Sequence, residues 1–241
     1  MAVDEMNCVA LDLETTGLNP ERCYILEIGA IKIKNGNIED VYETLVQCPV
    51  PIDERIQELT GITDEMVREG KSERQAVKEL LEFAGNLPLL GHNIPFDYGF
   101  LQAAVMRQGM NYQAKGIDTL KIAKKVLPDI EKRSLEYLCN YYKIETKQSH
   151  RALEDAKAAY QLYQILKETY SSEKAVFQPA TMDSKRKKQE PVTEAQKKYL
   201  QALLNYHHLT LPVPAAQLSK SEASRRIDEI IRDFGRIPRF Y

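Results

Sequence analysis

The sequence predicts an α/β fold in which a mixed sheet carries helices on both faces, with a small helical module at the C-terminal end. Three apolar, β-branched segments come first and follow one another closely, which predicts a meander of strands. Segments with helical spacing then alternate with short apolar runs, as in layered α/β domains. Two capping-box patterns near the C-terminus each precede further helical periodicity.

The three leading strands are predicted at residues 7–13, 24–34 and 38–46. The first is a short apolar run that ends in carboxylates, which indicates a buried strand. The second is apolar with β-branched residues and leads into Asn35-Gly36, a hairpin turn signal. The third strand follows directly, so we expect these two strands to pair through a tight turn.

After the meander the pattern changes to helical spacing. Residues 72–84 carry apolar side chains at helical intervals, and residues 87–91 form a short buried run typical of a strand. Further helices are predicted at residues 96–108, 120–126, 134–142 and 152–170. This alternation predicts a sheet with helices packed on both faces.

The chain is expected to divide into an α/β domain at residues 1–170, a linker at 171–191 and a helical module at 192–241. The linker segment has few large apolar residues, two prolines and the basic run Lys185-Arg186-Lys187-Lys188, and this composition predicts flexibility. An address signal, a phosphate contact and a solvated charge cluster are all compatible with the basic run.

The C-terminal module is predicted to consist of two helices. Thr193 with Gln196, and Ser219 with Glu222, match the capping box that starts a helix. The residues expected to face one another are Tyr199, Leu200, Leu203 and Leu204 on one helix, and Ala223, Ile227, Ile230 and Ile231 on the other. A module of this size is marginal alone, so we expect it to rest on the domain or on a partner.

Composition favours a cytoplasmic protein without a membrane segment. No apolar run approaches a membrane span, and the acidic N-terminal segment differs from the basic start of a secretory signal. The four cysteines lack the short paired spacing of a zinc site, which favours reduced structural thiols.

Residues 171–241 hold 13 Lys/Arg against 8 Asp/Glu, whereas residues 1–170 hold 20 against 27. An acidic body is unusual for a nucleic-acid binder unless its acids surround bound cations.

Two carboxylates stand at the end of the first predicted strand, in the segment VALDLETTG. Asp12 and Glu14 are two residues apart, so both project from the same face of the strand. Because the strand is otherwise apolar, two charges at its end are costly unless cations neutralise them. The Thr15-Thr16-Gly17 turn that follows offers hydroxyls and backbone amides that can approach a substrate closely.

Two further segments carry polar residues in apolar surroundings. In GHNIPFDYGFL, Asp97 opens a predicted helix directly after a buried strand, and Asn93 precedes it. In HRALEDAKAAYQLYQIL, His150 comes before an amphipathic helix that contains Asp155. Each residue alone has an ordinary structural explanation: an acid at a helix start, a turn asparagine, a polar residue before a helix, or a solvated acid.

Taken in order, these segments resemble the three motifs of the DEDDh, or DnaQ-like, 3′→5′ exonuclease superfamily. Asp12 and Glu14 stand in the first motif, Asp97 in the second, and His150 and Asp155 in the third with H-x₄-D spacing. A sister class has tyrosine at the position of Arg151, so this chain is similar to the histidine class. The segments at residues 59–63 and 116–120 look like substrate-groove and core segments of the family. The resemblance implies a ribonuclease H-like fold with a five-stranded mixed sheet.

The resemblance also implies hydrolysis of phosphodiester bonds with two Mg²⁺ or Mn²⁺ ions. The implied metal ligands are Asp12, Glu14, Asp97 and Asp155, with Asp12 between the two ions. His150 is the implied general base, because an imidazole accepts a proton readily near neutral pH. The implied substrate contacts are Thr15, Thr16, Gly17, Leu18 and Asn93, with Leu18 packing on the terminal base.

The expected substrate is single-stranded nucleic acid with a free 3′ end. Oligoribonucleases carry methionine where this chain has Thr15, so the motif is closer to the DNA-proofreading branch, which includes the epsilon subunit of bacterial DNA polymerase III. A DNA polymerase or another replication or repair protein is then the expected partner. Two alternatives stay open: an RNA-trimming exoribonuclease of the same family, and a catalytically idle nucleic-acid-binding or polymerase-associated adaptor.

Overall fold

The structure, a computed structural model, describes residues 7–146, 150–182, 191–211 and 214–237. The chain divides into two units, Met1–Ser184 and Lys185–Tyr241. Each unit has an apolar core of its own, and the residues predicted to carry chemistry all belong to the first unit.

The first unit is built around a mixed sheet. Its strands are β1 (Cys8–Thr15), β2 (Ile25–Lys34), β3 (Asn37–Leu45), β4 (Leu89–Gly91), β5 (Lys115–Asp118) and β6 (Ala180–Thr181). They lie in the order β3-β2-β1-β4-β5-β6. The first three strands form an antiparallel meander, whereas β1, β4 and β5 run parallel. The predicted mixed sheet is confirmed, and the two-residue strand β6 adds a sixth strand to the five expected.

Helices cover both faces of this sheet. They are α1 (Glu54–Thr60), α2 (Asp64–Arg68), α3 (Glu73–Ala84), α4 (Pro95–Arg107), α5 (Thr119–Val126), α6 (Leu135–Tyr142) and α7 (Ala152–Thr169). The five helices predicted from apolar spacing are present, with each end within one residue of its predicted position. The short helices α1 and α2 were not predicted. They begin at Asp53 and Thr63, whose side chains accept hydrogen bonds from the helix N–H groups.

Strand β1 separates two apolar cores because its side chains alternate between the faces of the sheet. Leu11 and Leu13 belong to the core that α3 and α4 cover. Ala10 belongs to the opposite core, which α5, α6 and α7 cover. Asp12 and Glu14 continue the second set, so their side chains lie on the face against which α7 packs.

The first unit extends further along the chain than expected. Phe177, in a short 3₁₀ helix, is buried with its ring centroid 6.0 Å from that of Tyr163 on α7. Strand β6 then pairs with β5. The expected linker start at residue 171 is therefore corrected, because a buried aromatic ring and a short strand pairing tie residues 171–182 to the sheet. The basic run Lys185-Arg186-Lys187-Lys188 lies outside the described residues.

Two helices, α8 (Glu194–Tyr206) and α9 (Lys220–Phe234), dominate the second unit. Both begin at the predicted capping boxes, in which each cap side chain and the residue three positions later bond to each other's backbone. The apolar residues predicted to meet do pack together, with one exception. Tyr199 is exposed, because it lies about 100° around the helix from buried Leu200, at the edge of the apolar face.

Two expectations drawn from composition concern membranes and thiols. In the described part of the chain, no helix has both the length and the apolar character that crossing a bilayer requires. All four cysteines are free, and burial raises the pKa of Cys8 to about 12 and that of Cys139 to about 11. These two thiols therefore stay protonated at neutral pH and act as apolar side chains.

Candidate active site

The expected catalytic residues lie at one edge of the sheet, where parallel strands end. Strands β1, β4 and β5 run parallel, so their carboxyl ends share this edge. Asp12 and Glu14 lie near the end of β1, and Asn93 follows β4. The backbone N–H of Asn93 donates a 2.8 Å hydrogen bond to Oδ1 of Asp118 at the end of β5, which ties these two strand ends together.

Asp97 is held at this edge by the backbone of β1. It lies in the first turn of α4, is buried, and accepts a 3.0 Å hydrogen bond at Oδ1 from the N–H of Leu13. Because Leu13 stands between Asp12 and Glu14, this bond brings the second predicted motif beside the first. Burial raises the pKa of Asp97 to about 8, while the hydrogen bond from Leu13 opposes the rise.

The third predicted motif meets the end of β1 at the start of α7. Ligand atoms of Glu14, His150 and Asp155 lie within 4.8 Å of one another, close enough to hold one metal ion. The backbone N–H of His150 donates a 3.2 Å hydrogen bond to Oδ2 of Asp155. His150 is exposed and has a left-handed backbone, with a φ of 60°. Its side chain is therefore open to solvent beside two of the carboxylates.

Several acidic groups lie close together at this edge. Burial raises the pKa of Asp12 well above its usual value, and the charges of Asp97, Asp155 and Glu14 raise it further. Burial, followed by the charge of Asp155, raises the pKa of Glu14 to about 7. The ionised forms are disfavoured together because each carboxylate is desolvated and repels the others. Mg²⁺ and Mn²⁺ prefer oxygen ligands of this kind, so the residues present fit the divalent cations that the sequence predicts.

The loop after β1 carries most of the expected substrate contacts. The hydroxyl of Thr15 donates to the carbonyl oxygen of Gly17 at 2.7 Å, and Oγ1 of Thr16 accepts from the N–H of Tyr24 at 2.9 Å. Both threonine side chains thereby help to close the loop. Leu18, at the tip, has 64% of its surface exposed. The loop thus presents an apolar side chain shortly after the carboxylates of β1.

Two residues at this edge were not predicted to belong to the site. Glu27 on β2 stands opposite Glu14 in the β1–β2 pairing and is buried. Arg151 forms a 2.6 Å ion pair with Glu27. The available signal for Glu27 was an acid within the apolar first half of the strand ILEIGAIKIK, but the sequence does not show which group neutralises it.

Solved structures with a similar fold include nucleases. Exonuclease X in complex with 5′ overhanging duplex DNA has a TM-score of 0.54 and 24% identity, and the match covers 68% of this chain and 93% of that one. E. coli Exonuclease I in complex with a dT13 oligonucleotide has a TM-score of 0.61 and 18% identity, with coverages of 67% and 41%. The nuclease domain of 3′hExo, a DEDDh family member bound to rAMP, has a TM-score of 0.62 and 17% identity, with coverages of 74% and 98%. The fold is therefore that of the ribonuclease H-like exonucleases.

The proteins that are similar to this chain in sequence include DNA polymerase III proteins of the PolC type. The DNA polymerase III PolC-type protein of Caldanaerobacter subterraneus is 36% identical over 155 residues, which are 64% of this chain and 11% of the relative. The PolC-type protein of Bacillus subtilis is 36% identical over 169 residues, 69% of this chain and 12% of the relative. The chain thus spans about a tenth of the length of these relatives.

The family of the first unit follows from a match over most of its length. A family profile described as Exonuclease matches residues 9–163, and the chain belongs to this family of nucleases. Its predicted membership of the DEDDh, DnaQ-like superfamily is thereby confirmed. A second profile, described as a protein of unknown function (DUF3072), matches residues 188–236, which include both helices of the second unit.

Proposed function

We propose that this chain is a 3′→5′ exonuclease that hydrolyses phosphodiester bonds from the free 3′ end of single-stranded DNA with two Mg²⁺ or Mn²⁺ ions. One observation carries the proposal: acidic residues and a histidine from three distant segments meet at one sheet edge. They are Asp12, Glu14, Asp97, His150 and Asp155. Membership of the Exonuclease family supports the reaction class, and the polymerase relatives favour DNA as the substrate.

The metal ligands are proposed to be the four carboxylates. Asp12 would lie between the ions, Glu14 and Asp155 would complete one site, and Asp97 would support the other. When bound, two such ions polarise the phosphate and make water a stronger nucleophile at neutral pH. The chain's own contribution is to fix the ligands: the N–H of Leu13 holds Asp97, and the N–H of His150 holds Asp155.

His150 is the proposed general base. Its side chain is exposed beside Glu14 and Asp155, where an incoming phosphate and its attacking water have access. A neutral imidazole there would accept the proton that the water loses as it attacks, which is the role of a histidine general base.

The 3′ end of the nucleic acid is proposed to be recognised by residues that are exposed around the carboxylates. Leu18 offers an apolar surface on which the terminal base can pack. Asn93 is exposed and fixed through its N–H to Asp118, so its amide is available to the sugar or phosphate. Thr15, Thr16 and Gly17 shape the loop that carries Leu18.

Two features of the proposal concern alternatives and partners. RNA trimming is a second candidate, since 3′hExo, whose nuclease domain has a similar fold, is described bound to rAMP. A DNA polymerase or another replication or repair protein is the proposed partner, because the relatives are PolC-type polymerases. A catalytically idle adaptor is disfavoured, because the acids and the histidine of all three motifs are present.

The test is hydrolysis of 5′-labelled DNA and RNA oligonucleotides with free or blocked 3′ ends, with Mg²⁺, Mn²⁺ or a chelator. We expect stepwise shortening of single-stranded DNA from a free 3′ end, and none with the chelator. Asp12→Asn should lower kcat by about 10³-fold or more, since metal ions contribute several kcal/mol to such reactions. Asp40→Asn, an exposed acid on β3, is the matched control. Strong activity of Asp12→Asn would overturn the mechanism.

A further inference from the structure

We propose that Glu27 and Arg151 are a positioning pair that sets the start of α7 on the sheet, so that His150 and Asp155 face Asp12 and Glu14. The inference rests on the proposed function, because it concerns the same site. Neither residue is expected to touch the reacting atoms. Their role is to hold two groups that do.

Glu27 is a buried carboxylate, and its hydrogen bonds to residues that the structure describes all lead to the start of α7. Only 1% of its surface is exposed. Nε of Arg151 donates to both carboxylate oxygens, at 3.1 and 3.2 Å, and Nη2 donates to Oε1 at 2.6 Å. The backbone N–H of Ala152 donates to Oε2 at 3.0 Å. The buried charge is therefore satisfied by the first residues of one helix, in a forked geometry that fixes direction as well as distance.

Helix α7 lacks a cap of its own. The residue at its N-cap is Arg151, with φ −123° and ψ 120°, and no side-chain cap bond is formed there. A helix start leaves N–H groups without partners and favours negative charge. Glu27 supplies both an acceptor and a negative charge from strand β2. The cap of α7 is thus provided by the sheet, which couples the helix start to the strand beside the carboxylates.

The strand pairing places this cap beside the proposed metal ligands. In the β1–β2 register, Glu27 stands opposite Glu14, and Gly29 stands opposite Asp12. A Cβ atom at Gly29 would lie 2.0 Å from the backbone nitrogen of Leu153, so α7 rests on the bare backbone of β2 there. A carboxylate at one position and the absence of a side chain at the other together set the height of α7 above the sheet.

Arg151 makes this arrangement compatible with the acidic site. Without it, Glu27 would add an unpaired buried charge next to Glu14, and removal of one partner of a buried ion pair is strongly destabilising because the other charge is left uncompensated. Arg151 directly follows His150, and Asp155 lies one helical turn further on. A shift of the pair therefore moves the proposed base and a proposed ligand together.

The test compares Glu27→Gln and Arg151→Lys with Glu43→Gln in the full chain. Glu43 is the matched control, because it is an exposed glutamate whose contact with Arg151 is a longer one of 3.7 Å. We expect Glu27→Gln to lower kcat on single-stranded DNA by about 10–100-fold and to raise the half-saturating Mg²⁺ concentration, as loss of support behind metal ligands does. KM for a short oligonucleotide should stay unchanged. Arg151→Lys should lose less, because it keeps the charge but not the fork.

Unchanged kcat and Mg²⁺ dependence in a folded Glu27→Gln protein, melting at a lower temperature only, would overturn the proposal in favour of a purely stabilising pair. If Glu27→Gln does not fold, Arg151→Lys decides, with the same readouts. If the unaltered chain shows no nuclease activity, the proposed function fails, and Mn²⁺ binding followed by electron paramagnetic resonance tests the positioning. Equal Mn²⁺ affinity of Glu27→Gln and Glu43→Gln would then reject the pair as well.

Discussion

Asp97 meets two opposing influences in the metal-free chain. Burial favours its neutral form, whereas the N–H of Leu13 donates to its Oδ1 and favours the ionised form. Asparagine at this position would keep an acceptor for Leu13 and lose the charge. Asp97→Asn therefore separates the structural bond to β1 from the electrostatic contribution to a cation site.

His150 allows the roles of base and ligand to be distinguished. Because His150 is the proposed base, His150→Ala should lower kcat by about 10²–10⁴-fold, the range for loss of a general base. The half-saturating Mg²⁺ concentration should not change, because the carboxylates remain. Single-turnover hydrolysis of a labelled oligonucleotide across a Mg²⁺ titration measures both quantities.

The matched control for His150 is His208→Ala in the second unit. His208 is also exposed and also has a positive φ, of 55°, so loss of the same side chain from the same backbone conformation is compared. We expect this variant to hydrolyse DNA like the unaltered chain. Full rescue of His150→Ala by excess Mg²⁺ would identify His150 as a ligand, which its place beside Glu14 and Asp155 also permits.

At the scale of elements, the buried carboxyl groups of β1 and α4 make the stability of the fold depend on pH in the absence of metal. Burial raises the pKa of Glu14 to about 7 and that of Asp97 to about 8, so the folded chain holds protons that the unfolded chain has lost. Stability that depends on these protons is present at low pH and is lost as pH rises through 7 and 8. We expect the melting temperature of the metal-free chain to fall between pH 7 and 8.5.

Thermal melting at several pH values, with a chelator or with Mg²⁺, checks this dependence. Mg²⁺ should flatten or reverse the slope, because it binds the ionised carboxylates and stabilises the folded chain more as pH rises. The slope should be shallower in metal-free Asp97→Asn and unchanged in Asp40→Asn. A metal-free melting temperature that rises between pH 7 and 8.5 would contradict the argument.

Local signals in the sequence were enough to predict most elements. Apolar spacing located the helices from α3 to α7, and the Asn35-Gly36 turn located the β2–β3 hairpin. Helices α1 and α2 were not predicted, because they are short and are held by their caps at Asp53 and Thr63 more than by an apolar stripe. Strand β6 was not predicted, because its two residues depend on pairing with β5, a contact that no local pattern encodes.

The candidate site was predictable as a set of residues but not as an arrangement. Spacing alone placed Asp12 and Glu14 on one face of a strand, and the motif resemblance joined His150 and Asp155 to them. The role of Glu27 needed the pairing register of β1 and β2, which brings it opposite Glu14. Contacts between residues far apart in the chain carry this information, and periodicity does not contain it.

At the scale of the whole molecule, the two units are expected to divide chemistry and binding. None of the proposed metal ligands belongs to the basic run Lys185-Arg186-Lys187-Lys188 or to the second unit. A chain ending at Ser184 should therefore keep its kcat on a short saturating oligonucleotide. It should bind long single strands more weakly, with a salt slope shallower by about 0.7 in log–log units for each lost phosphate contact.

Fluorescence anisotropy of both proteins on labelled strands, across a salt series, measures this slope. Replacement of the basic run by four glutamines in the full chain is the matched variant, because it removes charge and keeps the length. Equal slopes for the full and shortened chains would reject phosphate binding by the C-terminal part. Docking of a protein partner would then be the better account of the second unit.

The cap that β2 provides for α7 joins residues far apart in the chain, since Arg151 and Glu27 are separated by 124 positions. During translation, β1 and β2 leave the ribosome long before α7 exists, and domains complete their folding as their last parts emerge. Until then, the carboxylates of β1 have no histidine beside them and no fourth acid. Most of the sheet is therefore synthesised before the site can be completed. A product cut short before His150 would lack the proposed base and the fourth acid and would be catalytically silent.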